Sequence, residues 1–332
     1  MRKKILVLYT GGTIGMYKDK DGSLKPLKFE QLEAQIPELK QFDYDLNVIS
    51  LEQPLDSSNM TPKDWVNMAS IIYDNYKNHD GFVVLHGSDT MAYTASALSF
   101  MLENLNKPVI LTGAQLPIGI RRTDAKENLI SAIEIAADSK TPEVCVYFEY
   151  KLFRGNRTTK VNAEHFDAFK SPNFPDLAEA GVKIKYLPIS YKEKKDPLIL
   201  HKHMLDEIAL LKIYPGMSQN YVKAVLNSPC KAVVLESFGA GNAPTTPWFI
   251  DYLKQAIEAG KIVLNTSQCL SGAVSQGLYE TSSKLETLGV IGAKDMTKET
   301  ALAKLMFLLG QRMSNKEVKK QLQISLRGEL TN

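Results

Sequence analysis

Two stretches decide the fold: Ile5-Leu6-Val7-Leu8-Tyr9-Thr10-Gly11-Gly12-Thr13-Ile14-Gly15 and Phe82-Val83-Val84-Leu85-His86-Gly87-Ser88-Asp89-Thr90. Each is a short apolar run that breaks into a glycine-rich corner. Runs that are apolar without alternation read as strands buried on both faces of a parallel sheet. In an open parallel sheet the carboxyl ends of the strands line one crevice, where ligands bind. Both corners then deliver hydroxyls (Thr13, Ser88, Thr90) and a carboxylate (Asp89) to the same place. Hydroxyl plus carboxylate, with no histidine partner required, points to nucleophilic chemistry on a small polar substrate.

Outward from these corners the sequence alternates strand-like and helical patterns. Strand-like runs fall at 4–9, 46–51, 81–86, 108–112 and 143–149, with helical patterns near 29–39, 62–77, 89–104 and 124–138. Thr61-Pro62 supplies a cap followed by proline at the first helical position. Asp89, and Thr123 or Asp124, offer caps for the next two helices. This order predicts an α/β fold with a parallel sheet covered on both faces. Residues 188–203 break the rhythm with Pro188, Pro197 and many charges. The expected organisation is therefore a larger N-terminal α/β domain (1–190), a linker (191–207) and a smaller C-terminal α/β domain (208–332). In the second domain strand-like runs appear at 209–214, 231–236 and 261–265. Helical patterns fall at 218–227, 246–259, 298–310 and 315–323. No internal repeat or low-complexity tract is present.

Composition narrows the function. With 44% hydrophobic and 23% charged residues, the chain has the make-up of a soluble globular protein. A net charge of +3 is too mild to argue for nucleic acid, and Lys192-Glu193-Lys194-Lys195 reads as a solvated loop. No apolar run approaches the roughly 18 residues of a membrane span, so no membrane partner is expected. Met1-Arg2-Lys3-Lys4 has the basic start of a secretory leader, but the apolar run after it meets Gly11-Gly12 too soon. Cys145, Cys230 and Cys269 are odd in number and widely spaced, which fits a reducing cytoplasm and no disulfide framework.

The first corner has three readings: a catalytic threonine, an anion cradle, or a plain tight turn. Its spacing is G-G-x-x-G, not the G-x-G-x-x-G of a dinucleotide site. Met16–Lys28 is charged, holds Gly22 and Pro26, and does not read as the helix such a site needs for its phosphates. It reads as a mobile lid. In the second corner Asp89 is either a helix cap or, with Ser88, a group that orients water and holds an ammonium. His86, at the end of its strand, reads as structural rather than as a base. Asp56-Ser57-Ser58-Asn59 and Thr112-Gly113-Ala114-Gln115 come after two further strands as carboxyl-end loops. The first of these is either an ordinary capped loop or a place whose hydroxyls and amides accept a substrate carboxylate. Arg154-Gly155-Asn156-Arg157-Thr158-Thr159-Lys160 is either solvated surface or the source of a proton-carrying lysine. Metal ligation is not expected, since the cysteines are isolated and His201-x-His203 lies in the linker. Trp65 and Trp248 read as core or interface anchors.

Five motifs, in order, closely resemble those of the bacterial-type L-asparaginases. They are Thr10–Gly15, Asp56–Met60, His86–Met91, Arg154–Lys160 and Gly239–Pro244, and the likeness runs on through Leu326-Arg327-Gly328-Glu329-Leu330. Without a leader the chain is similar to the cytoplasmic type I branch. The resemblance implies cofactor-free hydrolysis of L-asparagine to L-aspartate and ammonia. It implies Thr13 as nucleophile, forming a β-aspartyl ester, and Ser88, Asp89 and Lys160 as the proton-carrying group. Ser57 and Ser58 would hold the substrate α-carboxylate and Asp89 its α-ammonium, with Gly12 and Gln115 also lining the substrate. Asn242 would reach across from a neighbouring copy in a homodimer or homotetramer. Three places depart from the family's pattern. Ser88 stands where threonine is usual. Ser23 stands where many members carry a lid tyrosine, with Tyr17 nearby. Glu236 precedes Ser237-Phe238-Gly239, where some type I enzymes use an arginine to bind a regulatory asparagine; a carboxylate there would repel one. The rival readings are a glutaminase-asparaginase of relaxed specificity, since one methylene discriminates by only ~1–3 kcal/mol, and a non-catalytic amino-acid-binding module.

Overall fold

The computed structural model describes every residue except 1, 19–23, 27–30, 32–35, 278–279 and 332. The chain divides into two compact units, Met1–Lys202 and His203–Asn332. Family resemblance and structure agree on an α/β fold with the larger sheet in the N-terminal unit.

The first unit runs β1 (Lys3–Gly11), β2 (Met16–Lys18), β3 (Leu24–Pro26), β4 (Tyr44–Leu55), α1 (Pro62–Asn75), β5 (Gly81–Leu85), α2 (Met91–Met101), β6 (Leu102–Glu103) and β7 (Val109–Thr112). It continues with α3 (Ala125–Asp138), β8 (Val144–Phe148), β9 (Lys151–Arg154), β10 (Thr159–Lys160), β11 (Phe169–Lys170), β12 (Ala178–Ala180), β13 (Ile184–Tyr186) and β14 (Ile199–Leu200). The main sheet has eight strands in the order β13-β12-β9-β8-β7-β5-β1-β4. Its parallel half is the predicted one: β1 lies between β4 and β5, and β5 is succeeded by β7 and β8.

The sheet is nevertheless mixed. β9 turns straight back on β8, and β12 and β13 add further antiparallel strands. The left-handed Glu149 and Tyr150, at φ 44° and 66°, form the tight reversal that makes this possible. Most of the helical pattern expected at 29–39 lies outside the described residues, and Pro37–Gln41 is a short 3-10 turn. The part of the expected lid that is described pairs β2 with β3 as an antiparallel hairpin, while Ser23 lies outside the described residues.

Core strands are apolar throughout because both faces are covered. α3 packs on β1, β5, β7 and β8, and α2 contacts β7 and β8. Side chains alternate accordingly: Ile5, Val7, Tyr9, Val83, Leu85, Ile110, Cys145 and Tyr147 share one buried cluster with Leu129, Ile133 and Ala136 of α3. α1 begins as its sequence predicts, with Pro62 in the first turn and a Thr61–Asp64 capping box. The early part of the stretch read as a linker is tied down within the first unit: β14 pairs with β6, and Asn106 Nδ2 donates to the Lys194 carbonyl at 2.8 Å.

The second unit contains β15 (Ile208–Lys212), α4 (Gln219–Leu226), β16 (Ala232–Ser237), α5 (Pro247–Glu258), β17 (Ile262–Ser267), α6 (Glu280–Leu288), β18 (Ile291–Gly292), α7 (Lys298–Gly310) and α8 (Asn315–Leu322). Its four strands are parallel in the order β15-β16-β17-β18. The Leu326–Leu330 motif is structural: Lys304 Nζ meets Glu329 Oε1 at 2.6 Å with both side chains fully buried, and Glu329 also accepts the Leu326 and Arg327 amides. Glu236, next to last in β16, is buried, with Lys212 Nζ at 3.6 Å.

Candidate active site

Strand register sets the loops side by side. Tyr9 lies opposite Leu85, and Leu85 opposite Thr112, so β5 and β7 end at one level, β1 runs two residues further, and their loops leave the same edge. Gly12, at φ 86°, is pressed against the second corner: a Cβ there would stand 2.6 Å from Gly87 Cα. A Cβ on Gly87 would stand 2.5 Å from Ser57 Oγ. Glycine at these two positions lets the first two loop backbones touch and the Ser57 side chain pack on the second. The turns carrying Thr13, Ser57 and Ser88 are thereby brought into contact.

In the first corner Thr13 opens a single 3-10 turn, Thr13–Gly15, and is half-buried. The turn is fixed on either side. Thr10 Oγ1 donates to the Leu85 carbonyl at 2.7 Å, and the Tyr9 hydroxyl donates to the Gly15 carbonyl at 3.0 Å.

The second corner is fixed at its own side chains. His86 is fully buried, with Nδ1 2.7 Å from the Gly87 carbonyl and Nε2 2.9 Å from Thr94 Oγ1. A carbonyl only accepts, so Nδ1 carries the proton. Thr94 Oγ1 receives the Trp65 indole N–H at 3.0 Å and gives its own proton to Nε2. Burial pushes the imidazole pKa down to about 4, so it is neutral. His86 is a brace for the Gly87 backbone.

Asp89 does not cap α2, whose N-cap is Thr90. Its Oδ1 accepts instead from Lys160 Nζ at 2.7 Å. The same ammonium donates to Ser88 Oγ at 2.8 Å, and Ser88 Oγ donates to Gln115 Oε1 at 3.1 Å. Lys160 is largely withdrawn from solvent, 17% exposed, while Asp89 is 68% exposed. A lysine on solvated surface would not be held this way.

Lys160 reaches the corner because its segment is anchored. Arg154 pairs with Glu143 at 2.6 Å and stacks over Phe174 at 4.1 Å. A 3-10 turn, Gly155–Arg157, then leads into β10, where Lys160 pairs with Phe169 of β11. Phe169 is buried against Phe148, with ring centroids 4.9 Å apart.

The third loop closes on the second corner through Thr90 Oγ1, which donates to the Ser57 carbonyl at 2.7 Å. Ser57 is buried; Ser58 is exposed and donates its amide (2.9 Å) and hydroxyl (2.8 Å) to Asp56 Oδ1. The Ser58 amide, then its hydroxyl, holds the Asp56 carboxyl below its ordinary range. Asn242 lies in the second unit, in a loop where Phe238 and Asn242 exchange backbone hydrogen bonds of 2.9 and 2.8 Å.

Three supporting residues escaped the sequence reading. Thr123 or Asp124 was expected to cap α3; Asp124 stands at the N-cap and Thr123 Oγ1 accepts the Ala125 amide at 3.0 Å, but the Asp124 carboxylate turns away to accept the Gln115 amide (2.9 Å) and the Leu116 amide (3.1 Å). Asn128, one helical turn on, donates to the Gly113 carbonyl at 3.0 Å. Thr94, one turn after Thr90, holds His86. The (i, i+4) spacing of Asp124 and Asn128 at a helix start was the available signal.

Residues 4–190 match the family described as "Asparaginase, N-terminal", and residues 207–322 the "Glutaminase/Asparaginase C-terminal domain". The chain is 45% identical to L-asparaginase 1 of Escherichia coli strain K12, over 99% of its own length and 98% of that protein's. It is similar in structure to L-asparaginase I from Vibrio cholerae, with TM-score 0.93 and 43% identity over 100% of both chains. The thermostable L-asparaginase from Thermococcus kodakarensis matches with TM-score 0.93 at 32% identity, over 99% of each chain. With both halves matched and near-complete coverage of such relatives, the chain belongs to the asparaginase family of amidohydrolases.

Proposed function

We propose that this protein hydrolyses L-asparagine to L-aspartate and ammonia through an acyl-enzyme on Thr13. One observation carries the reading: a single ammonium, Lys160 Nζ, bridges Ser88 Oγ (2.8 Å) and Asp89 Oδ1 (2.7 Å) in the corner that Gly12 joins to the Thr13 turn. An amide is a poor electrophile, so splitting its hydrolysis into acylation and deacylation lowers each barrier.

Thr13 Oγ adds to the side-chain amide carbon, and its proton passes to the amide nitrogen. The C–N bond breaks and ammonia leaves, with a β-aspartyl ester remaining on Thr13. Water then adds to the ester carbon, the C–Oγ bond breaks, and the water's proton restores the Thr13 hydroxyl. Ser88, Lys160 and Asp89 carry these protons. Backbone amides of the glycine corners stabilise the oxyanion, and removing one such donor typically costs about 10²–10³ in turnover. Ser57 and Ser58 face the α-carboxylate and Asp89 the α-ammonium. Asn242 of a second copy completes the site in a homodimer or homotetramer, in a cytoplasmic setting.

Ammonia release from asparagine and from glutamine tests the reading. Faster release from asparagine is expected. Binding of asparagine without ammonia would turn the crevice into a binding module, and a preference for glutamine would reassign the substrate.

A further inference from the structure

Gln115 is held in a way that substrate lining does not require. Its Nε2 donates to two carbonyls, Ala163 at 3.2 Å and His165 at 3.1 Å. Carbonyls only accept, so these two contacts fix which end of the amide is nitrogen. The oxygen end must then face Ser88, and Oε1 lies 3.1 Å from Ser88 Oγ. The Gln115 backbone is pinned as well, because the buried Asp124 carboxylate accepts its amide at 2.9 Å. Turning this side chain would give up both carbonyl contacts and the contact with Ser88.

The consequence falls on Ser88. Its hydroxyl has one proton and two lone pairs. Lys160 Nζ occupies one lone pair at 2.8 Å, and Gln115 Oε1 takes the proton. The remaining lone pair is the one left for a substrate atom or a water.

We infer that Gln115 is a positioning residue for the Ser88 hydroxyl: its carbonyl-locked amide dictates where the Ser88 proton points. This inference rests on the proposed catalytic role of Ser88. It accounts for a side chain whose contacts are with the protein's own loop 161–168 and second corner.

The test is a double-mutant cycle of Gln115→Met and Ser88→Ala in the full-length enzyme, with asparagine turnover and melting temperature measured for each. Gln115→Met keeps the length of the side chain and removes the acceptor. It should lower kcat by at least about tenfold, roughly 1.4 kcal/mol, with KM changed less than about threefold. In the Ser88→Ala background the same change should cost less than about twofold, because the residue it positions is already gone. Gln115→Glu, which keeps an acceptor but cannot lock against two carbonyls when ionised, should lose kcat in the same way.

Three results overturn the inference while leaving the Ser88 assignment standing. These are a raised KM at unchanged kcat for Gln115→Met, an equal cost of Gln115→Met with and without Ser88, or wild-type kcat for Gln115→Glu. Full activity of Ser88→Ala alone would instead remove the catalytic reading of that corner, and the inference with it.

Discussion

The two strand-end corners share one plan and are fixed in opposite ways. In the first, hydrogen bonds secure Thr10, ahead of the Thr13 turn, and Gly15, the turn's last residue. In the second, they secure Ser88 and Asp89 themselves, with His86 braced from behind by Thr94 and Trp65. The elements downstream of the two corners explain the contrast. The first corner leads into the short β2–β3 hairpin; the second leads into α2, whose residues are almost all buried. A strand ending on a buried helix is held by packing and can carry a fixed polar network. We read the pair as a division of labour, with Thr13 forming and losing a bond and Ser88, Asp89 and Lys160 holding protons in place.

Damage to either half should therefore leave a different signature. The heaviest loss is expected at the first corner. Thr13→Ala should abolish turnover with the melting temperature unchanged, since no ester can form; near-normal ammonia release would end the nucleophile assignment. Next comes Lys160→Met, which should cost several orders of magnitude in kcat because it removes the cation joining Ser88 and Asp89. A shift in salt dependence alone would restore the surface reading of that lysine.

A milder change separates hydroxyl from volume in the second corner. Ser88→Thr should stay within about tenfold of the parent, or roughly 1.4 kcal/mol, because the hydroxyl survives and only a methyl is added. Ser88→Ala should lose far more, and equal losses would mean that side-chain volume, not the hydroxyl, matters there.

The last change concerns the brace and shows in stability, with no direct effect on the chemistry. His86 has a folded pKa of about 4 against an ordinary 6.5, so the unfolded chain binds the extra proton first. Its contribution is complete above pH 6.5 and is lost as pH falls towards 4, on the order of 3 kcal/mol in all. Denaturant titrations from about pH 7 down to about pH 4, the window set by these two pKa values, should show this loss in the parent, and a flatter profile when His86 is replaced by glutamine. An unchanged slope would mean that the imidazole is not held neutral.

How much of this could be read from residues alone depends on what sets each feature. The parallel strands were legible because burial on both faces leaves an unbroken apolar run, as in Phe82–Leu85. The antiparallel extension was not. Its strands Ala178–Ala180 and Ile184–Tyr186 are three residues each, with Glu179 and Lys185 exposed at their centres, so they carry no such run. Of the candidate residues, Thr13 and Ser88 stood out as glycine-flanked hydroxyls, and the partnerships did not. Lys160 meets Asp89 from 71 residues away, and Gln115 meets Ser88 from 27. Asp124 shows the limit from the other side: an acid at a helix start is most simply a cap, and only the three-dimensional path of residues 113–116 makes it a clamp.

If Thr13 bears the acyl group while the second corner carries the protons of both steps, the intermediate between those steps can be trapped when the water step is slowed more than the first. Ser88→Ala, impaired in delivering water, should accumulate a covalent aspartyl adduct when mixed with asparagine and quenched in acid. Peptide mass spectrometry should place that adduct on the fragment containing Thr13, with ammonia released in equal amount. Continued ammonia release with no adduct on that fragment, or an adduct elsewhere, would mean that the two corners do not divide the reaction in this way.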